Sequence, residues 1–368
     1  MSRSQQPPDP RSARARGPQG AAGNGRRDLR TLGFAGIVAG AVIVGVAYTA
    51  WAGTRAGTTD GNRPSAAGAS GVPSASSPGS STAGWAGFGD APHVVFQNVV
   101  RDAGYVKVVV ARLDDPSGAR HVSELTCERV HASADRGLCL VPEFGIVTRF
   151  WAITFDAAFE PVHRLELGGI PSRARISPDG RYGAATVFVY GHSYADGNFS
   201  TATTLIDMAA GTSLGNLEDF AVYRDGTQLQ SVDFNFWGVT FARDSNRFYA
   251  TLRTEGRTYL VEGDVAARTM TIIADNVECP SLSPDNTRIA FKEFTGDPAS
   301  LWQLRVLDLA TMAVSPVAES RSIDDQVEWL DDERILYGES ARTWVVPADG
   351  TGTPEVFLAD ALSPAVVR

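Results

Sequence analysis

The sequence predicts an all-β fold: a six-bladed β-propeller over residues 91–368, preceded by one transmembrane helix at 31–52 and a disordered linker at 53–90. Three observations lead there. One turn-centred phrase recurs through the C-terminal part of the chain. Its copies are separated by the length of a four-stranded blade. The chain also ends on what reads as the opening of another copy.

Residues 1–30 hold seven Arg and two acids, and the chain as a whole carries a net −9, which leaves about −14 for the remainder. A folded part that acidic does not seek nucleic acid by bulk charge. The tail is rich in Arg, Gly, Pro and Gln, a composition expected to stay disordered. From Thr31 to Thr54, 24 consecutive residues are uncharged. About 20 apolar residues cross a bilayer core of ~30 Å. Tyr48 and Trp51 stand where interfacial aromatics gather, and the Arg cluster keeps the N-terminus cytoplasmic. The propeller is then extracytoplasmic, on a single-pass anchor in the cytoplasmic membrane. A cleaved secretory signal is the rival, but its apolar core is usually ~7–15 residues. Residues 53–90 are dominated by Gly, Ala, Ser, Thr and Pro, which cannot bury enough apolar surface to offset ordering entropy. A coil of this length spans about 35 Å and reads as a tether.

After Ala91 the texture changes to short apolar runs broken by turns: VVFQNVV, YVKVVVARL, RFYATL, RIAFKE, WQLRVLDL and TWVVPA. These read as strands. The repeated phrase is ASADRGLCLV at Asp135, ISPDGRYGAA at Asp179, FARDSNRFYA at Asp244, LSPDNTRIAF at Asp285 and WLDDERILYG at Asp332. The spacings are 44, 65, 41 and 47 residues. In each copy an inner strand leads into a tight turn and a second strand. Pro pre-sets φ, Asp bonds nearby backbone N–H groups, and Gly or Asn accepts φ > 0. The Asp is therefore a turn residue and not a catalyst. The end of the chain, ADALSPAVVR, resembles ADNVECPSLS before the fourth phrase. It reads as a sixth inner strand joining three leading strands near 94–100, 104–112 and 119–125. A ring closed by both chain ends leaves no open edge.

The phrases ISPDGR and LSPDNTRIAF resemble the WD40-like PD40 repeats of the six-bladed TolB-type propellers, over roughly residues 91–368. The anchor, the linker and runs such as ECPSLSPD resemble actinobacterial membrane proteins labelled TolB-like. The resemblance implies the fold. The chain departs from TolB by carrying an anchor and lacking its additional N-terminal domain.

Chemistry is sparse. GTSLG at Gly211–Gly215 matches a nucleophile elbow, but it sits in a strand–turn–strand context rather than strand–turn–helix. His93, His121, His131, His163 and His192 show no metal-ligand spacing, so no metal and no cofactor are expected. YADGNFS (Tyr194–Ser200) has loop oxygens without a recognised cation spacing. Cys127 and Cys139 are the natural disulfide pair outside a membrane. On a straight strand, though, they would stand ~10 Å apart, beyond the ~7 Å limit, so the bridge stays open. Cys279 would be free.

The most promising place is one mouth of the channel, where five loops enter inner strands. They bring Glu128, Arg129, Arg173, Arg175, Asp233, Asn235, Glu278, Asp324, Asp325 and Glu328 near one axis, with Trp237 as an aromatic wall. These are the candidate ligand-binding residues. The insertion EDFAVYRDGTQLQ (218–230) is a candidate loop over that mouth. With no assembled catalytic set, the expected role is a membrane-tethered module that binds a protein or an envelope polymer. The alternative is an extracytoplasmic lyase or hydrolase using the mouth's carboxylates and arginines.

Overall fold

The computed structural model describes residues 85–88, 91–189 and 200–368. The basic tail, the anchor expected at 31–52 and most of the expected linker lie outside these residues, as does YADGNFS up to its final Ser200. No described helix is long and apolar enough to cross a membrane.

The described strands form six sheets, antiparallel within each four-stranded blade, in a ring order set by the chain. The first blade contains β1 (His93–Asn98), β2 (Lys107–Arg112) and β3 (Arg120–Thr126). The second runs β4 (Arg129–Ser133), β5 (Arg136–Glu143), β6 (Arg149–Asp156) and β7 (Pro161–Leu167). The third runs β8 (Ile170–Ile176), β9 (Tyr182–Val189), β10 (Ser200–Asp207) and β11 (Thr212–Asn216). An inserted hairpin follows, β12 (Ala221–Arg224) and β13 (Thr227–Leu229). The fourth blade is β14 (Asn235–Phe241), β15 (Arg247–Thr254), β16 (Arg257–Asp264) and β17 (Thr269–Asp275). The fifth is β18 (Glu278–Leu282), β19 (Arg288–Asp297), β20 (Ser300–Asp308) and β21 (Val314–Pro316). The sixth is β22 (Glu328–Trp329), β23 (Arg334–Glu339), β24 (Arg342–Pro347) and β25 (Glu355–Ala359).

The last strand, β26 (Ala361–Val367), is the inner strand of the first blade. His93 pairs with Val367, Val94 with Val366 and Val95 with Ala365. The chain end thus zips the ring shut, as the sequence led us to expect.

Each blade packs on both faces, so middle strands lack the alternation of a half-exposed sheet. In β9 every residue from Tyr182 to Val187 is buried, whereas β7 alternates at the rim. Val108, Val110, Val130, Ala132, Cys139 and Phe155 interlock between the first and second blades. Leu138, Leu140, Ile176, Ala185 and Ile206 do so between the second and third.

The phrase Asp residues cap the turns. Asp179 accepts from Ser177 Oγ at 2.7 Å and the Arg181 N–H at 2.9 Å. Asp285 accepts from Ser283 Oγ at 2.5 Å and the Thr287 N–H at 3.0 Å. Asp244 accepts from the Asn246 and Arg247 N–H groups. Gly180 at φ +71° and Asn286 at φ +63° take the left-handed position that the phrase reserves for them. In the fifth copy the cap is Asp331, not Asp332: Asp331 accepts from the Glu333 and Arg334 N–H groups at 2.9 and 2.8 Å. The fifth turn is one residue shorter than its neighbours: Trp329 faces Ile335 six positions on, where Leu282 faces Ile289 seven positions on. Asp332 instead accepts from the Asp285 N–H of the neighbouring blade at 2.9 Å. In the first copy a shorter turn joins Ser133 to Arg136, and Asp135 faces Arg136 at 3.5 Å.

Three further differences have physical causes. The insertion at 218–230 does not cover the mouth: β12 pairs in parallel with β17, so the hairpin widens the outer edge of the fourth blade. Its alternating VYR/TQL pattern satisfies an edge that would otherwise be bare. Cys127 and Cys139 are disulfide-bonded, with a Cα separation of 5.4 Å. In the register Val130 stands opposite Cys139. The chain, however, bends where it leaves β3: the Cys127 N–H donates to Val106 O and the Glu128 N–H to Leu140 O. That bend brings Cys127 back over β5. Finally, packing begins before residue 91. Trp85 is buried, its ring edge-on to Phe155 and Phe159 at 5.8 and 5.1 Å.

Candidate functional site

Inner strands β4, β8, β14, β18, β22 and β26 surround the channel, and their period-two alternation sends every second side chain inward. Arg129 and His131 on β4, and Arg173 and Arg175 on β8, follow that spacing. Two layers result.

The deeper layer plugs the channel. Arg175 donates to the Glu328 carboxylate and, at 3.1 Å, to Val327 O. The Ile176 N–H donates to His131 Nδ1 at 3.2 Å, while His131 Nε2 lies 3.0 Å from Arg175 Nη1 and 3.7 Å from the Glu328 carboxylate. Burial by itself would raise the Glu328 carboxyl, but the Arg175 guanidinium outweighs it and holds the group at about 2. Burial and the same Arg175 push His131 down, so it stays neutral. This layer floors a cavity of about 400 Å³ that opens on the face of the SPDG turns and is also lined by Arg243 and Trp329.

The outer layer is the mouth. Arg129 donates through Nε to Ser172 O at 2.7 Å and through Nη1 to Glu128 O at 2.9 Å. Arg173 donates to Ser172 O at 2.9 Å, and its Nε is shielded from water without a hydrogen-bond partner. Neither has a carboxylate within 4 Å among the described residues. Burial and then the neighbouring Arg173 pull the Arg129 guanidinium down. Asp325 shares the narrow space of about 30 Å³ beside them and accepts from the Gln326 and Gly338 N–H groups. Asp324 accepts from Lys292, which also lies 3.9 Å from Glu278. Burial raises the Glu278 carboxyl.

Of the expected site residues, Arg129, Arg173 and Asp325 meet at the mouth, and Arg175 and Glu328 meet below it. Glu278 and Asp324 converge on Lys292, and Trp237 joins Glu278 in a neighbouring cleft. Three do not converge. Glu128 is exposed at the rim. Asp233 turns away to cap its own loop, accepting from Ser231 and Thr254 hydroxyls at 2.5 Å and the Glu255 N–H at 2.7 Å. Asn235 accepts the Thr201 N–H at 2.8 Å, tying the third blade to the fourth. Sequence reasoning missed His131 and Lys292. His131 was findable two residues after Arg129. Lys292 comes from the second strand of its blade, opposite Glu278 in the register. No cluster of three or more His, Cys, Asp or Glu able to hold a metal occurs among the described residues.

No family model matches the chain, and no curated protein matches it. Solved structures do. TolB from Acinetobacter baumannii aligns over 76% of this chain and 68% of its own, with a TM-score of 0.51 and 16% identity. A nidogen/laminin complex aligns over 75% and 98%, with a TM-score of 0.50 and 9% identity. A TolB from Agrobacterium tumefaciens covers 73% of this chain and 88% of its own at a TM-score of 0.43 and 13% identity. At such identities the likeness is one of fold. On that ground the described residues have the fold of a six-bladed β-propeller, similar to that of TolB.

Proposed function

We propose that this chain is a membrane-tethered, extracytoplasmic binding module whose channel mouth receives a partner protein or envelope polymer, without catalysis. The anchor and the outward orientation rest on the apolar run 31–52 and the Arg-rich tail before it. The observation that carries the reading is the contrast between the two channel layers. Below, Arg175 is neutralised by Glu328. At the mouth, Arg129 and Arg173 direct their donors to backbone carbonyls, leaving positive charge for an incoming acidic group. A rigid ring supplies the preorganised surface such a partner needs.

Site-specific photocrosslinking of the full chain in intact membranes tests it. A photoreactive residue at Glu128, on the mouth rim, is expected to give a discrete adduct. The same residue at Glu333, on the opposite face, is expected to give none. Adding Arg173→Ala should cut the Glu128 adduct about tenfold, the loss of one charge-assisted hydrogen bond. Equal labelling from both faces, or none from either, contradicts the reading.

A further inference from the structure

In the second blade the hairpin that joins β5 to β6 ends in Phe144-Gly145-Ile146-Val147-Thr148, with no charge between Glu143 and Arg149. Phe144 is 82% exposed, Val147 73% and Ile146 fully. Among the described residues no other five-residue stretch exposes three large apolar side chains. Such a tip is costly in water and marks a contact with something apolar. Strand pairing runs up to Glu143 opposite Arg149, so the tip projects directly from the sheet. At its base Glu143 accepts from Trp151 Nε1 at 2.8 Å and from Arg164 at 2.6 Å. The Arg164 guanidinium also lies 3.9 Å over the Trp151 ring, and Arg149 lies 4.0 Å from Glu166. The charges at the base therefore balance, and the tip's attraction is apolar.

What covers the tip follows from the chain that precedes the propeller. That chain enters at Trp85, which packs against Phe155 and Phe159 of the same blade. Entry and tip lie at opposite ends of β6, where Arg149 to Phe155 spans about 20 Å. The expected tether before Trp85 spans about 35 Å, enough for the tip to reach the bilayer that holds the anchor. Tethering also makes the contact intramolecular, so a weak one suffices. We propose that this tip is a lipid-contacting loop, a reading that rests on the anchor proposed above. Phe144, Ile146 and Val147 enter the boundary between headgroups and acyl chains. The Trp151 indole and the Arg149 guanidinium stand at headgroup level, where amphipathic side chains settle. A convex tip that is apolar from Phe144 to Val147 suits a soft apolar phase. Contact is limited to one blade, so the mouth is not sealed.

The test places the full chain, one copy per disc, in phosphatidylcholine nanodiscs. Ile146→Cys carries an environment-sensitive fluorophore through a maleimide. Cys279 is buried and Cys127 is bonded to Cys139, so the label is selective. Val314→Cys, exposed on β21 of the fifth blade, is the control. The label at 146 should be quenched by spin-labelled lipid and shielded from aqueous iodide, and the label at 314 the reverse. Phosphatidylglycerol or added salt should change neither, because the base is neutral. Adding Phe144→Ser and Val147→Ser should cut the inserted fraction about tenfold with an unchanged melting curve. Iodide reaching 146 as it reaches 314, or a serine variant that inserts like the parent, overturns the proposal. Shielding that appears only with two copies per disc would make the occupant a second chain and also overturn it. Carbonate extraction of full-chain proteoliposomes separates the two readings. A chain that resists carbonate while 146 stays in water keeps its anchor and loses the loop contact; a chain stripped by carbonate loses both.

Discussion

Glu328 and Glu218 show how one side-chain chemistry takes opposite values in one molecule. Glu328 is buried against Arg175 and ionises at about 2. Removing its charge strands the guanidinium in a shielded channel. Glu328→Gln should therefore cost about 3–5 kcal/mol, measured as a fall in urea-unfolding free energy at pH 7. Glu218 is buried with only backbone donors around it; the Thr203 N–H approaches one oxygen at 3.3 Å, and the other has no partner. Burial raises its carboxyl from 4.5 to about 7. The folded chain thus keeps a proton that the unfolded chain releases above 4.5. Its stabilising effect is complete below that pH and is lost as pH climbs through 7, by up to about 3 kcal/mol. Glu218→Gln should flatten that decline: urea midpoints at pH 5 and pH 8 should differ less in the variant than in the parent. Neither carboxylate's setting was legible in the sequence. Glu328 and Arg175 were both expected near the axis, but their pairing across 153 positions depends on the folded ring and was not read. Asp233 was expected there too and is absent, because three local donors bind it more closely than the channel does.

At the scale of the turn and hairpin, the repeated phrase was legible because a tight turn demands particular residues at fixed places. Pro178, Asp179 and Gly180 each answer one demand. In the fifth copy two aspartates stand side by side, and only geometry tells which one caps the turn. Asp331→Ala should cost about 2 kcal/mol, since it loses two backbone donors and Arg334. Asp332→Ala should cost about 1 kcal/mol or less, for a single bond to the next blade. Equal losses in thermal or urea unfolding would contradict Asp331 as the cap. The inserted hairpin was read as a lid because length alone suggested a loop. Its edge pairing with β17 depends on an unfilled strand edge, which a sequence does not display.

At the scale of the molecule, every blade leans on its two neighbours, so no open end is tolerable unless something closes it. The ring was legible from the last ten residues because they repeat an inner-strand pattern without the strands that should follow. The mouth is legible only as a consequence: Arg129 and Arg173 come from two blades, and Ser363 of β26 shares their space. The most direct measurement is thermal unfolding, followed by circular dichroism, of the full chain against one ending at Asp360. A ring zipped by β26 loses the partner of β1 and bares Val94, Val95 and the channel wall. The shortened chain should then melt far lower or without a cooperative transition. A cooperative melt at the parent temperature would contradict closure, and with it the mouth that closure builds.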